Sequence, residues 1–298
     1  MPNQQANSAD PRYSYEETEH IFFDFEVHLN TQYSIYLNMS LILTSLENST
    51  LTITLNRPEK YNSFTEPMAL EFQKALSKAE PDEIRSVLIN ANGKAFCAGQ
   101  DLSEVVERAK DDNYELADTV RTIYNPVIRA IRKLSKPVVC AVQGTAAGAG
   151  ANIAFACDIV LASDEAVFVQ AFSKIGLIPD SGGTFFLPRL VGMARTNAMY
   201  LLDEKITADK AVEIGLIYKA VPHEELSDEA KSLAKKLATM PTKGFGLYKK
   251  ALNQTFENDL EQQLSLEATL QSEAGRTEDY KEGVQAFMEK RKPNYRGR

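Results

Sequence analysis

One carboxylate in this chain stands in a setting suited to proton transfer. Asp180 lies in the octet Gly176 to Gly183 (GLIPDSGG), directly after Pro179 and shortly before Gly182 and Gly183. Proline fixes its own φ and glycine reaches backbone angles other residues avoid, so such a loop can hold one acid in place at a cleft wall. The same punctuation also makes a plain turn, and the octet alone leaves both readings open. Two loops nearer the N-terminus add a second chemical element. Lys94 to Leu102 (KAFCAGQDL) and Gly144 to Gly150 (GTAAGAG) each follow an apolar run, precede a helical pattern and consist largely of small residues. Helix N-termini carry unpaired N–H donors and partial positive charge, and small side chains let a ligand approach them. Two such donors can converge on one carbonyl oxygen as it becomes an oxyanion. A base beside an oxyanion site suits removal of a proton next to a carbonyl.

Other chemistries find little support. A dinucleotide fingerprint requires a third glycine where Ile153 stands, and no P-loop lysine follows. His20 and His28 lie in the N-terminal stretch, and His223 sits beside Pro222 in a linker, as an exposed loop or capping residue would, so a Ser-His-Asp triad or a His-rich metal site is not expected. Cys97, Cys140 and Cys157 are embedded in apolar or glycine-rich sequence and read as reduced packing thiols of a cytoplasmic protein. A net charge of −8, with no dense basic run before the tail, argues against nucleic acid as a partner.

The elements that must position these loops follow from the pattern. At 298 residues and 44% hydrophobic, the chain can bury a large α/β core. Residues 41–45 and 50–55 alternate around Glu47-Asn48-Ser49 as a hairpin. Thr65-Glu66-Pro67 opens a helix carrying Met68, Leu70, Phe72 and Leu76. Strands are expected at 87–89, 137–142, 159–162 and 217–221, a long amphipathic helix at 114–134 and a small-residue helix at 148–156. This is a β-and-α spiral with loops at strand ends available for a site. Segments 224–239, 243–256 and 258–274 are helical by pattern and form a C-terminal subdomain within residues 224–298, after a core of residues 39–223.

Residues 1–38 differ from the rest. They hold six acidic side chains against Arg12 alone and seven aromatics, with no signal-peptide pattern; no later run is long enough to span a bilayer. The segment is expected to precede a natural start at Met39, with a partner-binding arm as the alternative.

With the loops in order, the chain from Met39 onward resembles the crotonase superfamily of coenzyme A thioester enzymes. The resemblance rests on Asn56-Arg57-Pro58 with Asn62-Ser63-Phe64, on FCAGQDL (Phe96 to Leu102), on AVQGTAAGAG (Ala141 to Gly150) and on Cys157-Asp158-Ile159. It implies a ββα spiral core with a helical C-terminal subdomain that packs across subunits in a homotrimer or a dimer of trimers. It also implies an acyl-CoA substrate whose thioester oxygen meets the backbone N–H groups of Gln100 and Ala149, with no metal or redox cofactor, coenzyme A being part of the substrate. Hydratases of the superfamily use two glutamates; those places hold Asn152 and Phe172 here, and neither is a general base. The carboxylate is Asp180, where several isomerases keep theirs. FVQAFSKIGLIPDSGGTFFLPRLVG (Phe168 to Gly192), Tyr124-Asn125-Pro126 and the tail from Gly275 to Arg298 are most similar to the isomerases of aerobic phenylacetate degradation. On that resemblance Phe64, Tyr124 and Phe172 would wall the acyl group, Ala98, Asp101 and Leu102 would line the thioester, and Lys60, Lys290 and Phe287 would meet the coenzyme A nucleotide. A fatty-acid 3,4-to-2,3-enoyl-CoA isomerase and a non-catalytic acyl-CoA- or RNA-binding protein are the alternatives.

Overall fold

The computed structural model describes residues 40–298, so the expectations for residues 1–38 lie outside it. Its strands are β1 (Ile42–Glu47), β2 (Thr50–Leu55), β3 (Ser86–Ala91), β4 (Ala95–Cys97), β5 (Val138–Val142), β6 (Thr145–Ala147), β7 (Ile159–Ser163), β8 (Val167–Val169), β9 (Ile206–Thr207) and β10 (Lys219–Val221). Its α-helices are α1 (Glu66–Ser77), α2 (Leu102–Arg108), α3 (Leu116–Thr119), α4 (Asn125–Lys133), α5 (Ala149–Phe155), α6 (Gly183–Leu201), α7 (Ala208–Glu213), α8 (Leu226–Ala238), α9 (Thr242–Gln254), α10 (Leu260–Ala274) and α11 (Glu278–Met288).

The larger sheet runs β1-β2-β3-β5-β7-β10, antiparallel in the first hairpin and parallel thereafter. Asn48 and Ser49 both adopt positive φ, the form a two-residue hairpin turn needs, so β1 extends through Glu47, which pairs with Thr50. The central strands read as unbroken apolar runs because both faces are covered. Val87 and Ile89 on β3, with Val138, Cys140 and Val142 on β5, enter the main core. The intervening Leu88, Val139 and Ala141 meet Leu226, Ala230 and Ala234 of α8 on the other face.

A second, smaller sheet, β4-β6-β8-β9, was not foreseen from the pattern. Each of β3, β5 and β7 is followed after a few residues by a short strand, β4, β6 or β8, which pair in parallel. The spiral step is therefore long strand, short strand, helix. The turns between sheets are tight. A side chain at Gly144 would run into the Lys94 carbonyl, and Gln143 Nε2 donates to the carbonyls of Ala91, Gly93 and Ala95 at 3.1, 3.2 and 2.9 Å.

The expected 114–134 helix is divided into α3, a π-helical turn at Val120–Tyr124, and α4. Pro126 has no N–H, so it cannot donate to the Thr122 carbonyl four residues back. The carbonyls of Thr122 and Ile123 instead accept from Gln73 Nε2 at 3.5 and 3.3 Å. Thr65 caps α1 as its sequence suggested, with its hydroxyl accepting from Met68 N.

Candidate active site

The C-terminal ends of β4, β6 and β8 lie side by side and lead into Ala98–Gln100, Gly148–Ala149 and the Gln170–Asp180 segment. The second sheet thus brings together loops that lie up to eighty residues apart in the chain.

The first two loops are in contact. A Cβ on Gly99, whose φ is +90°, would lie 3.0 Å from the Ala147 carbonyl and 3.8 Å from Ala149 N. A Cβ on Gly150 would lie 2.6 Å from the Cys97 side chain, so only glycine lets α5 begin against β4. The Ala98 N–H donates to Tyr61 O and the Gly148 N–H to Val169 O. Among the described residues, the N–H groups of Gln100 and Ala149 donate to no protein acceptor. Ala149 is the first residue of α5, where an orphan donor and the helix dipole coincide.

The first loop is held from beneath. Phe64 pairs with Gln100 in a parallel bridge, and its N–H and carbonyl bond Gly99 O and Asp101 N. Asn62, fully buried, accepts from Arg57 N and donates to the carbonyls of Asn92 and Ala95 at 2.8 and 2.9 Å. Asn62→Ala would take the partner from the half-buried Arg57 N–H and from the Asn92 carbonyl, while the Ala95 carbonyl keeps its bond from Gln143, and is expected to cost about 2 kcal/mol, read from the urea midpoint at unchanged slope.

Asp180 is held by its own backbone. Its carbonyl accepts from Gly183 N at 2.8 Å and from Asn152 Nδ2 at 2.9 Å, and Ser181 Oγ donates to its Oδ1 at 2.9 Å. Ser181 and Gly182 both have positive φ, which turns the chain into α6. Burial raises the carboxyl above its ordinary range, against the smaller opposing pull of the Ser181 hydroxyl. Nearby carboxylates are otherwise engaged. Asp101 caps α2 through Ser103 N and pairs with Arg57 at 2.6 Å; despite burial, the bonds from Ser103 and Arg57 hold it below its usual range. Glu104 accepts from Glu66 N and pairs with Arg108, and Asp203 accepts from Ala171 N and pairs with Lys174.

Phe64, Tyr124 and Phe172 are buried. The Phe64 and Tyr124 rings lie 6.3 Å apart, and a Cβ on Gly148 would lie 3.7 Å from the tip of Phe172. Burial, then the charge of Asp180, keeps the proton on Tyr124. Burial pushes the Cys97 thiol up to about 12, consistent with a packing thiol. Ala98 and Leu102 are exposed at the loop, as are Lys60 in a 3₁₀ turn after β2 and Lys290 past α11; Phe287 is 81% exposed. His223 Nδ1 lies 3.2 Å from Ser163 Oγ, at the β7–β10 end of the larger sheet. Among the described residues no three His, Cys, Asp or Glu side chains converge as a metal site requires, and no helix is long and apolar enough to cross a membrane.

Sequence reasoning did not single out Gln170, nor a structural duty for Asn152. The signal available was a pair of amides where the chain's pattern otherwise buries apolar residues, at 152 on α5 and 170 after β8.

Residues 45–298 match the family described as Enoyl-CoA hydratase/isomerase. The chain is 47% identical over 261 residues to 1,2-epoxyphenylacetyl-CoA isomerase of Escherichia coli (strain K12), spanning 87% of this chain and 100% of that one. It is 37% identical to trans-2-decenoyl-(acyl-carrier-protein) isomerase of Streptococcus mutans serotype c, spanning 86% and 98%. The crystal structure of an enoyl-CoA hydratase from Polaromonas sp. JS666 superposes with a TM-score of 0.81 at 34% identity, covering 85% of this chain and 99% of that one.

Proposed function

Because the chain belongs to the enoyl-CoA hydratase/isomerase family, we propose that it acts on a coenzyme A thioester and isomerises 2-(1,2-epoxy-1,2-dihydrophenyl)acetyl-CoA to oxepin-CoA in aerobic phenylacetate catabolism. One observation carries the reading: Asp180, whose carbonyl is bonded to Asn152 on the helix that begins at Ala149, has no cationic partner among the described residues and is raised by burial. A base for carbon acids needs a pKa closer to the working pH than an exposed aspartate has.

In this mechanism the thioester oxygen accepts from Gln100 N–H and Ala149 N–H, which lowers the energy of charge on that oxygen and acidifies the adjacent CH₂. Asp180 takes the C2 proton. The electrons of that C–H bond form a double bond from C2 to the ring, the ring C–C bond shared with the strained epoxide breaks while both C–O bonds are kept, and the proton returns from Asp180 to a ring carbon as the seven-membered ring forms. Phe64, Tyr124 and Phe172 exclude water around the ring. Tyr124 keeps its own proton, so it does not compete as base. Ala98 and Leu102 flank the thioester, Asp101 braces the loop through Arg57, and Lys60, Lys290 and Phe287 contact the nucleotide. The helices of residues 224–298 serve subunit contact in a trimer or a pair of trimers.

The same proton shuttle would move a 3,4 double bond to the 2,3 position. The Streptococcus mutans relative, named as an isomerase of a trans-2-decenoyl group on acyl carrier protein, favours carrying this second reading. Chromatography of enzymatically generated epoxide thioester against 3-hexenoyl-CoA tests both: fast conversion of the epoxide supports the first, and turnover of hexenoyl-CoA alone replaces it with the second.

A pH prediction arises here. Asp180 works as the carboxylate, so activity is present above its folded pKa and lost as pH falls through it. Because burial raises that pKa, the acid limb of kcat/KM should lie above the ordinary aspartate value of about 3.9. A limb at or below that value would remove Asp180 as the base.

A further inference from the structure

Asp180 can serve as a base only if its carboxylate is aimed, yet among the described residues the side chain itself receives only the Ser181 hydroxyl. Its aim must come from its backbone. The Asp180 carbonyl accepts and cannot donate, so the group 2.9 Å away on Asn152 must be the NH₂. The Asn152 oxygen then faces Gln170, which must present its own NH₂, and does so at 3.1 Å. Gln170 Oε1 is left over: it is buried and without a partner among the described residues. The direction of every amide in this string is therefore fixed by the Asp180 carbonyl at its end.

The space around the string is also fixed. Asn152 is fully buried on α5, Gln170 is 1% exposed, and a Cβ on Gly183 would lie 2.5 Å from Asn152 Nδ2. Gly183 N donates to the same Asp180 carbonyl, so Asn152 and Gly183 clamp one oxygen from two sides. The string joins the end of β8 to the helix whose first N–H is Ala149, tying base and oxyanion donor into one unit.

We propose that Asn152 and Gln170 are positioning residues for Asp180, a one-way amide string that fixes the base relative to the first turn of α5. This rests on the reading of Asp180 as the base. An ionised carboxylate at position 152 has no donor for the Asp180 carbonyl, so this loop conformation and a charged acid at 152 exclude each other. The string thus marks the site as one-carboxylate chemistry, proton shuttling without activation of water by a second acid.

The test compares Asn152→Asp and Gln170→Met with the unsubstituted protein, using epoxide conversion and, independently, deuterium uptake at C2 of phenylacetyl-CoA in D₂O by mass spectrometry. Asn152→Asp should lower kcat about 100-fold, the scale of a misplaced reacting group, with KM within about twofold. Its acid limb should move to higher pH, since a second carboxylate disfavours ionisation of Asp180. Tyr124 of the π turn, which feels the charge of Asp180, and the Cys97, Glu104 and Tyr114 groups that act on Tyr124 are unchanged in the variant. Gln170→Met keeps the side-chain shape and deletes the orphan acceptor, so it should fold normally by circular dichroism and lose about 10-fold in kcat with its limb unmoved. Wild-type kcat and limb in Asn152→Asp would overturn the proposal. So would joint collapse of kcat, KM and melting temperature in Asn152→Asp with Gln170→Met unaffected, which reduces Asn152 to a fold residue. An unsubstituted protein that neither converts the epoxide nor exchanges C2 overturns the reading of Asp180 itself, and the string's role with it.

Discussion

Asp180→Asn is expected to bind the thioester with little change in KM and to turn it over about 10²–10⁴-fold more slowly, the contribution of a positioned general base. The exchange keeps shape: Asn Oδ1 still accepts from Ser181, and the backbone carbonyl keeps its bonds from Gly183 and Asn152. What disappears is the proton acceptor. The same variant should melt higher than the unsubstituted protein. Burial raises the folded-state pKa of Asp180, so the group favours folding below its unfolded value and that contribution is lost as pH rises through the folded value. Near neutrality the ionised buried carboxylate is a burden on the fold that asparagine lacks. Turnover and stability therefore move in opposite directions at one residue. Near-normal turnover, or a lower melting temperature with loss of binding, would contradict this account.

Ala149→Pro isolates the other half of the chemistry. Backbone donors cannot be deleted by changing a side chain, but proline has no N–H. Position 149 is the first residue of α5, where proline is well tolerated because that N–H has no helical partner. Gly148 before it sits at φ +51°, ψ −125°, outside the helical region that a following proline disfavours. The expected result is a folded protein with kcat lowered by about 10²–10³, equivalent to roughly 2.7–4 kcal/mol for one oxyanion donor. C2 exchange into phenylacetyl-CoA should fall by the same factor, since the donor acts on the enolate and not on the epoxide. If exchange survives while epoxide conversion fails, the N–H of Ala149 is not at the thioester oxygen.

How much of this was legible in the sequence differs by element. Burial on both faces makes the central residues of β3 and all of β5 apolar, so Val87 to Ile89 and Val138 to Val142 are plain as strands. The Thr65 cap is likewise read from residue type. The short strands β4, β6 and β8 span three residues each and carry too little pattern to register, yet they place the site. The division of the 114–134 helix follows from Pro126, which was visible, but its outcome as a π turn depended on Gln73 from α1 satisfying the freed carbonyls. Asp180 and the two loops were found because Pro and Gly announce unusual backbone. Asn152 was noticed for the acid it lacks; what it does with its amide required a partner twenty-eight residues away.

The division of labour between the two sheets has a consequence for how such a protein diversifies. The long strands, buried on both faces, set the thermodynamic minimum, and substitutions there are felt as lost packing. Residues 100, 149, 152, 172 and 180 all follow short strands of the second sheet, at or near helix starts. A mutation at these places alters the reaction while leaving the six-stranded sheet untouched, so new chemistry can be sampled on an inherited scaffold.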